Sequence, residues 1–353
     1  GGERNPWNAG PRRLRPEGAA KGRGLQPGGS QSGVKAAALH RPMRIVLVFQ
    51  HFQIDGAGSS KPADLATYLA GRGHEVTVLC GRRGVEAVAD LPPGRIVCGR
   101  ARGLRLVAVD VPYTQGMRFG RRLWSFFVFA LLGGWALLRL EDYDVMLASS
   151  TPLTVGFLGL LSGYVRRRPW AFEVRDLWPE APWLDGWIPS RRLYEIATHL
   201  EAWFYREAHV ICMISEYMCR RLVERGFPRR KLRFLPTGVD LETYDVPADH
   251  AFWRQHGLAD RWTAVYAGSI GRVNHLDYVV DAAEHLDPAE GITLVVIGDG
   301  SERQRLIEEA RRRGTLDKTV VFLPPVPRPR VPGLLKACDA TLMMNRDMPG
   351  MKD

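Results

Sequence analysis

A chain of 353 residues, 45% hydrophobic and 25% charged, has the size and composition of a soluble protein of two ordinary domains. Its net charge of +11 is uneven: residues 1–42 carry eight basic and two acidic side chains, more than half of the excess. No zinc-finger spacing, helix-turn-helix or basic–aromatic interleaving points to nucleic acid, and five scattered cysteines without a CxxC pair read as reduced thiols of a cytosolic protein.

Residues 1–42 are rich in Gly, Pro, Arg and Ser and lack apolar periodicity, so a disordered basic tail is expected. They hold no apolar segment of the signal-peptide kind. Met43, directly before the first apolar run, is the expected natural start, with a basic arm for anionic lipid as the other reading of the tail.

From Met43 strand-like and helix-like runs alternate. Arg44–Gln50 is the first strand, followed by a loop and a helix over Lys61–Gly71. Glu75–Cys80 and Leu104–Val109 are strands, about Arg121–Leu140 a long apolar helix, and Asp144–Ala148 a strand. An apolar stretch, Pro152–Val165, precedes the strand Trp170–Val174. Helices Arg191–Ala208 and Glu216–Arg225 alternate with strands His209–Ile214 and Lys231–Leu235. After a hinge around Pro236–Pro247 the series begins again, with strands at Thr263–Ala267, Thr293–Ile297, Thr319–Leu323 and Ala340–Met344. Helices at Leu276–His285, Glu302–Arg313 and Val331–Ala337 lie between them. Such alternation predicts two doubly wound, parallel-sheet α/β domains, 43–240 and 241–353, with ligands beyond the carboxyl ends of the strands.

Trp124–Leu140 holds one charge, Arg139, in 17 residues, the short limit for a membrane span. A crossover helix explains it, with a surface dipping into a membrane or a span as the other readings. Arg118, Arg121 and Arg122 before it, and Arg166 to Arg168 after the next apolar run, favour interfacial contact.

Four strand ends carry candidate chemistry. Asp55 to Ser60 (DGAGSS) follows the first strand and precedes a helix; Gly56 and Gly58 there let backbone N–H groups approach an anion. The spacing is not GxGxxG, and no acidic residue ends the second strand, so a classical NAD site is not expected. Phe172 to Glu180 (FEVRDLWPE) crowds Glu173, Arg175, Asp176, Trp178 and Glu180 at a strand end, where charge is costly unless paired or used. A structural Arg175–Asp176 or Arg175–Glu180 pair is the plain alternative. Gly268, Ser269 and Arg272 follow the Thr263–Ala267 strand, and Arg272 offers a fork of donors to a phosphate. Gly298, Asp299, Gly300 and Glu302 follow Thr293–Ile297, with glycines that open room for a base or ribose.

Together with Ser149-Ser150-Thr151-Pro152, Ile214–Met218 (ISEYM) and Leu235–Asp240 (LPTGVD), these motifs resemble the GT-B glycosyltransferases of family 4. The match runs from about Met43 to Asp353 and is nearest to the bacterial O-antigen, capsule and exopolysaccharide branch, the L-fucosamine transferase-like proteins. The resemblance implies retaining transfer from a nucleotide sugar, a UDP-sugar by expectation, with neither metal nor cofactor. The acceptor is expected on the first domain, as a saccharide or polyprenyl-diphosphate-linked saccharide. That implies a cytoplasmic protein, peripheral at the inner face of the plasma membrane, working in cell-surface polysaccharide assembly.

By position, Gly56, Gly58, Gly268, Ser269 and Arg272 would meet the donor diphosphate, and Gly298, Asp299, Gly300 and Glu302 the nucleotide. Asp176 and Arg175 would carry catalysis, with Ser149, Ser150, Trp178 and Glu180 on the acceptor side. Two departures stand out. Asn274 and His275 occupy the region where many members place a second, lysine clamp. The family's later acidic motif is not reached by Asp353, so the second domain is expected to be truncated, marginally stable and inactive alone. A UDP-sugar 2-epimerase of the same fold and a truncated remnant that binds nucleotide or membrane only are the competing functions.

Overall fold

The computed structural model describes residues 41–54, 61–86, 89–113, 117–184, 186–238 and 241–344. Among them, strands β1 (Arg44–Phe49), β2 (Glu75–Gly81), β3 (Ile96–Ala101), β4 (Leu104–Val109), β5 (Val145–Ser149), β6 (Trp170–Val174), β7 (Val210–Met213) and β8 (Leu232–Phe234) form one sheet. Its order is β3-β4-β2-β1-β5-β6-β7-β8. Strands β9 (Trp262–Ala267), β10 (Ile292–Ile297), β11 (Val320–Leu323) and β12 (Ala340–Thr341) form a second, in the order β11-β10-β9-β12.

Helices α1 (Lys61–Gly71), α2 (Phe119–Arg139), α3 (Gly156–Tyr164), α4 (Glu180–Leu184), α5 (Arg191–Glu207) and α6 (Glu216–Glu224) belong to the first lobe. Helices α7 (Leu241–Tyr244), α8 (His250–Gln255), α9 (Asp277–Glu284), α10 (Arg303–Arg312) and α11 (Val331–Lys336) belong to the second.

The alternation of side chains explains why the central strands read as unbroken apolar runs. In β1, Val46 and Val48 enter one core, while Ile45, Leu47 and Phe49 enter the core on the other face. In β10, Leu294 and Val296 divide from Val295 and Ile297 in the same way. Both faces of each sheet are therefore covered, as a doubly wound fold requires. Helix α3 lies very close to its neighbours: a Cβ on Gly156 would meet the Phe204 ring of α5 at 2.4 Å, and one on Gly159 the Trp170 ring of β6 at 2.3 Å.

Three elements depart from the sequence expectation of purely parallel, strictly alternating domains. β3 pairs antiparallel with β4 at the edge of the large sheet. The pair turns through Arg102 and Gly103, at φ 49° and 76°, the two positive-φ residues of a tight hairpin. Gly99 and Arg100 interrupt the apolar pattern of β3, which hid it. The expected strand Ala340–Met344 pairs as a strand over Ala340–Thr341 only, beside β9 at the edge of the second sheet. The expected hinge Pro236–Pro247 contains a helical turn, α7. The expectations for the tail 1–42, apart from its last two residues, and for the Gly56–Gly58 loop fall outside the described residues.

Candidate active site

The carboxyl ends of β1, β5 and β6 deliver His51, Ser149 to Thr151, and Arg175 with Asp176 to one end of the large sheet. Ser149 and Glu173 are register partners across β5 and β6. The Ser149 hydroxyl donates to Glu173 Oε2 at 2.6 Å, and both side chains are buried. Glu173 Oε1 in turn lies 2.8 Å from Lys61 Nζ, which also donates to the Leu235 carbonyl at 3.3 Å. The first residue of α1 thus neutralises a carboxylate at the end of β6 and reaches the chain leaving β8.

Next to this pair, buried Ser150 and exposed Asp176 complete the strand ends. Ser150 Oγ accepts from the Arg175 N–H at 3.3 Å, and Thr151 Oγ1 donates to Asp176 Oδ2 at 2.9 Å. Asp176 faces a cleft of about 390 Å³ together with Thr151, His51, Tyr113, Arg122 and Trp178. Phe119, Arg122, Leu123 and Phe126, from the first turns of α2, supply a further wall. The Arg122 guanidinium lies over the rings of Trp187 and Tyr113, 4.3 and 5.8 Å from their centroids. His51 packs against Tyr113 with ring centroids 4.3 Å apart. Loss of water around its ring, then the Arg122 and Arg175 charges, hold His51 down to about 4, so it is neutral at pH 7.

Val273, from the second lobe, closes the same cleft and sits next to Arg272. Its loop is fitted against the loop after β10. Gly268 N–H donates to the Ile297 carbonyl at 3.0 Å, Ile270 N–H to that of Asp299 at 2.9 Å, and Glu302 N–H to that of Ile270 at 3.1 Å. A Cβ on Gly298, at φ 151°, would lie 1.9 Å from the Gly268 carbonyl oxygen, and one on Gly300 2.2 Å from that of Ile270. These two glycines are required by close backbone approach. The Arg272 guanidinium is largely exposed, with Nε 3.4 Å from Glu302 Oε1. The Glu302 carboxyl is held below its ordinary value by Arg305 first and by Arg272 as well. Asn274 donates its side-chain amide to the Ser269 carbonyl, and His275 adopts a left-handed φ of 45°.

The structure therefore brings Asp176, Trp178 and the Arg272 loop around one cleft and sets Arg175 at its edge. It places Ser149 and Ser150 beneath, as buried hydrogen-bond partners of Glu173 and Arg175, rather than on the cleft surface. Glu180 lies 3.6 Å from Arg221 and Glu173 pairs with Lys61, so two acids of the FEVRDLWPE run meet cations from outside the run. Sequence reasoning did not single out His51, Tyr113, Arg122, Trp187 or Lys61 as site residues. His51 ends the first strand and Lys61 opens the helix after the glycine loop, so position alone marked both. Tyr113 and Trp187 come from irregular segments that carry no pattern.

A glycosyl transferase 4-like domain model matches residues 58–238, just over half of the chain, and a glycosyl transferases group 1 model matches residues 250–347. The chain is 26% identical over 167 residues to an Escherichia coli (strain K12) protein named as a colanic acid biosynthesis glycosyl transferase, an alignment that covers 46% of this chain and 40% of that one. It therefore spans well under half the length of that relative. Among solved structures, the Anabaena protein HepE in complex with UDP-glucose superposes with a TM-score of 0.61 at 16% identity, over 86% of this chain and 74% of that one. WaaG, a glycosyltransferase involved in lipopolysaccharide biosynthesis, superposes with a TM-score of 0.56 at 17% identity, over 85% and 75%. With the first lobe and the second each matched by its own model, the chain belongs to the family 4-type glycosyltransferases, and its two parallel-sheet lobes have the GT-B fold.

Proposed function

We propose that this chain carries the machinery of a retaining glycosyltransferase that moves a sugar from a UDP-sugar to a saccharide or lipid-linked saccharide, in the assembly of a cell-surface polysaccharide. The observation that carries the proposal is the shared cleft. Asp176, held by Thr151, faces it from the first lobe, and Val273, beside Arg272, closes it from the second. The HepE complex with UDP-glucose and the role of WaaG in lipopolysaccharide biosynthesis support the donor and the setting.

In this reading Arg272 and the N–H groups of its loop that the neighbouring loop leaves unused meet the donor diphosphate. The open backbone at Gly298 and Gly300 admits the nucleotide, with the Glu302 carboxylate available to accept from ribose hydroxyls. No metal or cofactor is needed, because the arginine and backbone donors meet the phosphate charge. The acceptor enters along Trp178 and the aromatic wall, and a neighbouring hydroxyl of the acceptor donates to Asp176, which aims the reacting hydroxyl at the anomeric carbon and the diphosphate. The bond from the sugar anomeric carbon to the diphosphate oxygen breaks as the acceptor oxygen bonds on the same face. The departing diphosphate oxygen takes the acceptor proton. Arg175 and Arg122 add positive charge near the forming diphosphate.

The test is calorimetric titration with UDP, then turnover of UDP-glucose and UDP-N-acetylglucosamine with lipid-linked acceptors, with the product anomer read by NMR. UDP binding and an α product from an α donor are expected. A β product would overturn retention, and acceptor-independent epimerisation at C2 would overturn transfer.

A further inference from the structure

The outer face of α2 is apolar, and nothing described packs on it. Leu131, Trp124 and Trp135 are 70%, 65% and 52% exposed, and Phe127 and Leu138 are exposed beside them. At 100° per residue these five positions fall within a stripe about 80° wide and about 21 Å long. The opposite side of the helix buries Phe126, Phe129, Gly133 and Leu137 in the lobe. A helix whose inner face is fixed to a sheet cannot cross a bilayer without leaving that sheet, so an apolar outer stripe suits a helix lying in a surface plane.

The charges choose the surface. Helix α2 contains no acidic residue. Arg121 and Arg139 flank the stripe near its two ends, both exposed, and Arg139 stacks on Trp135 with its guanidinium carbon 3.7 Å from a ring centroid. The acids just beyond the helix are already met: Glu141 by Arg105 at 3.2 Å, and Asp142 by Arg168 and Arg44. Tryptophans with an arginine rim match the headgroup boundary of an anionic leaflet. A second copy of the chain would set arginines against arginines with no carboxylate on the helix to receive them.

We propose that the outer stripe of α2 docks on the surface of an anionic bilayer. The same helix supplies Phe119, Arg122, Leu123 and Phe126 to the cleft, so docking holds the cleft at the membrane. The surface itself does not depend on the reading of the donor site.

Co-sedimentation of the full chain with vesicles of phosphatidylglycerol and phosphatidylcholine, and with phosphatidylcholine alone, tests this. Binding to the anionic vesicles with a blue shift of tryptophan emission is expected, and much weaker binding to the neutral ones. Leu131→Glu with Trp135→Glu should lower anionic-vesicle binding at least tenfold while UDP binding stays unchanged. Arg121→Gln with Arg139→Gln, which leaves the stripe intact, should lower it about fivefold per arginine. Failure of the unaltered chain to bind anionic vesicles, or binding by both variants as tight as that of the unaltered chain, would overturn the proposal. So would a lipid-free dimer that Leu131→Glu dissociates, which would give the face to a second copy. Loss of UDP binding in the unaltered chain would count against the donor reading and leave the docking result standing.

Discussion

Lys61 and Glu173 meet at 2.8 Å with side chains 9% and 1% exposed, a buried ion pair between the first residue of one helix and the end of a central strand. Two charges out of water are tolerated only as a pair, so removing one leaves the other uncompensated. Lys61→Ala should cost about 3–5 kcal/mol. The check is the urea midpoint of the first lobe. Lys61→Met combined with Glu173→Gln should recover much of that loss, because the orphaned charge is removed as well.

Asp176 and Thr151 both line the cleft, and the Thr151 hydroxyl also holds the Asp176 carboxylate. Asp176→Asn should lower kcat about a hundredfold, as removal of one preorganised electrostatic partner does, with UDP affinity nearly unchanged. Thr151→Val should lower kcat less and leave the fold intact. Single-turnover rates beside UDP titrations separate the two effects.

The pH dependence at His51 has a definite sign. Its folded value, about 4, lies below the ordinary value of 6.5, so the folded state favours the neutral ring. Its contribution to stability is fully present above about 6.5 and is lost as pH falls from there towards 4. Denaturation midpoints measured across this window should decline with acid, and His51→Gln should flatten the decline. An NMR titration of the ring that shows a value near 6.5 would contradict the environment described.

Gly298 and Gly300 leave no space for a side chain. Gly300→Ala sets a Cβ 2.2 Å from the Ile270 oxygen, and Gly298→Ala adds a left-side φ to a 1.9 Å clash. Each should cost about 1–3 kcal/mol, the usual range for overpacking, and weaken UDP binding more than tenfold. Thermal melts with and without UDP measure both.

Most strands and crossover helices were legible because both faces of each sheet are buried, which leaves unbroken apolar runs such as Ile45–Phe49 and Leu294–Ile297. The β3–β4 hairpin was not, since an edge strand can carry Gly99 and Arg100 without losing a core. The candidate site was legible where glycine or charge stood at a strand end, as at Asp176, Arg272 and Gly298. It was illegible where the role depends on another segment. Ser149 looked like a cleft residue until Glu173 came beside it, and Glu173 looked available until Lys61 met it. Arg122 read as part of a surface cluster, and its place between Tyr113 and Trp187 is set by tertiary packing alone.

The fit between the Gly268–Arg272 and Gly298–Glu302 loops limits how the site can move. Three backbone hydrogen bonds and two glycines without clearance join them into one rigid lip, so neither loop can fold over a donor by itself. A movement that brought one loop over a donor would carry the other with it. Leu235, directly after the first lobe's last strand, is tied to Lys61, and through it to the strand that precedes Asp176.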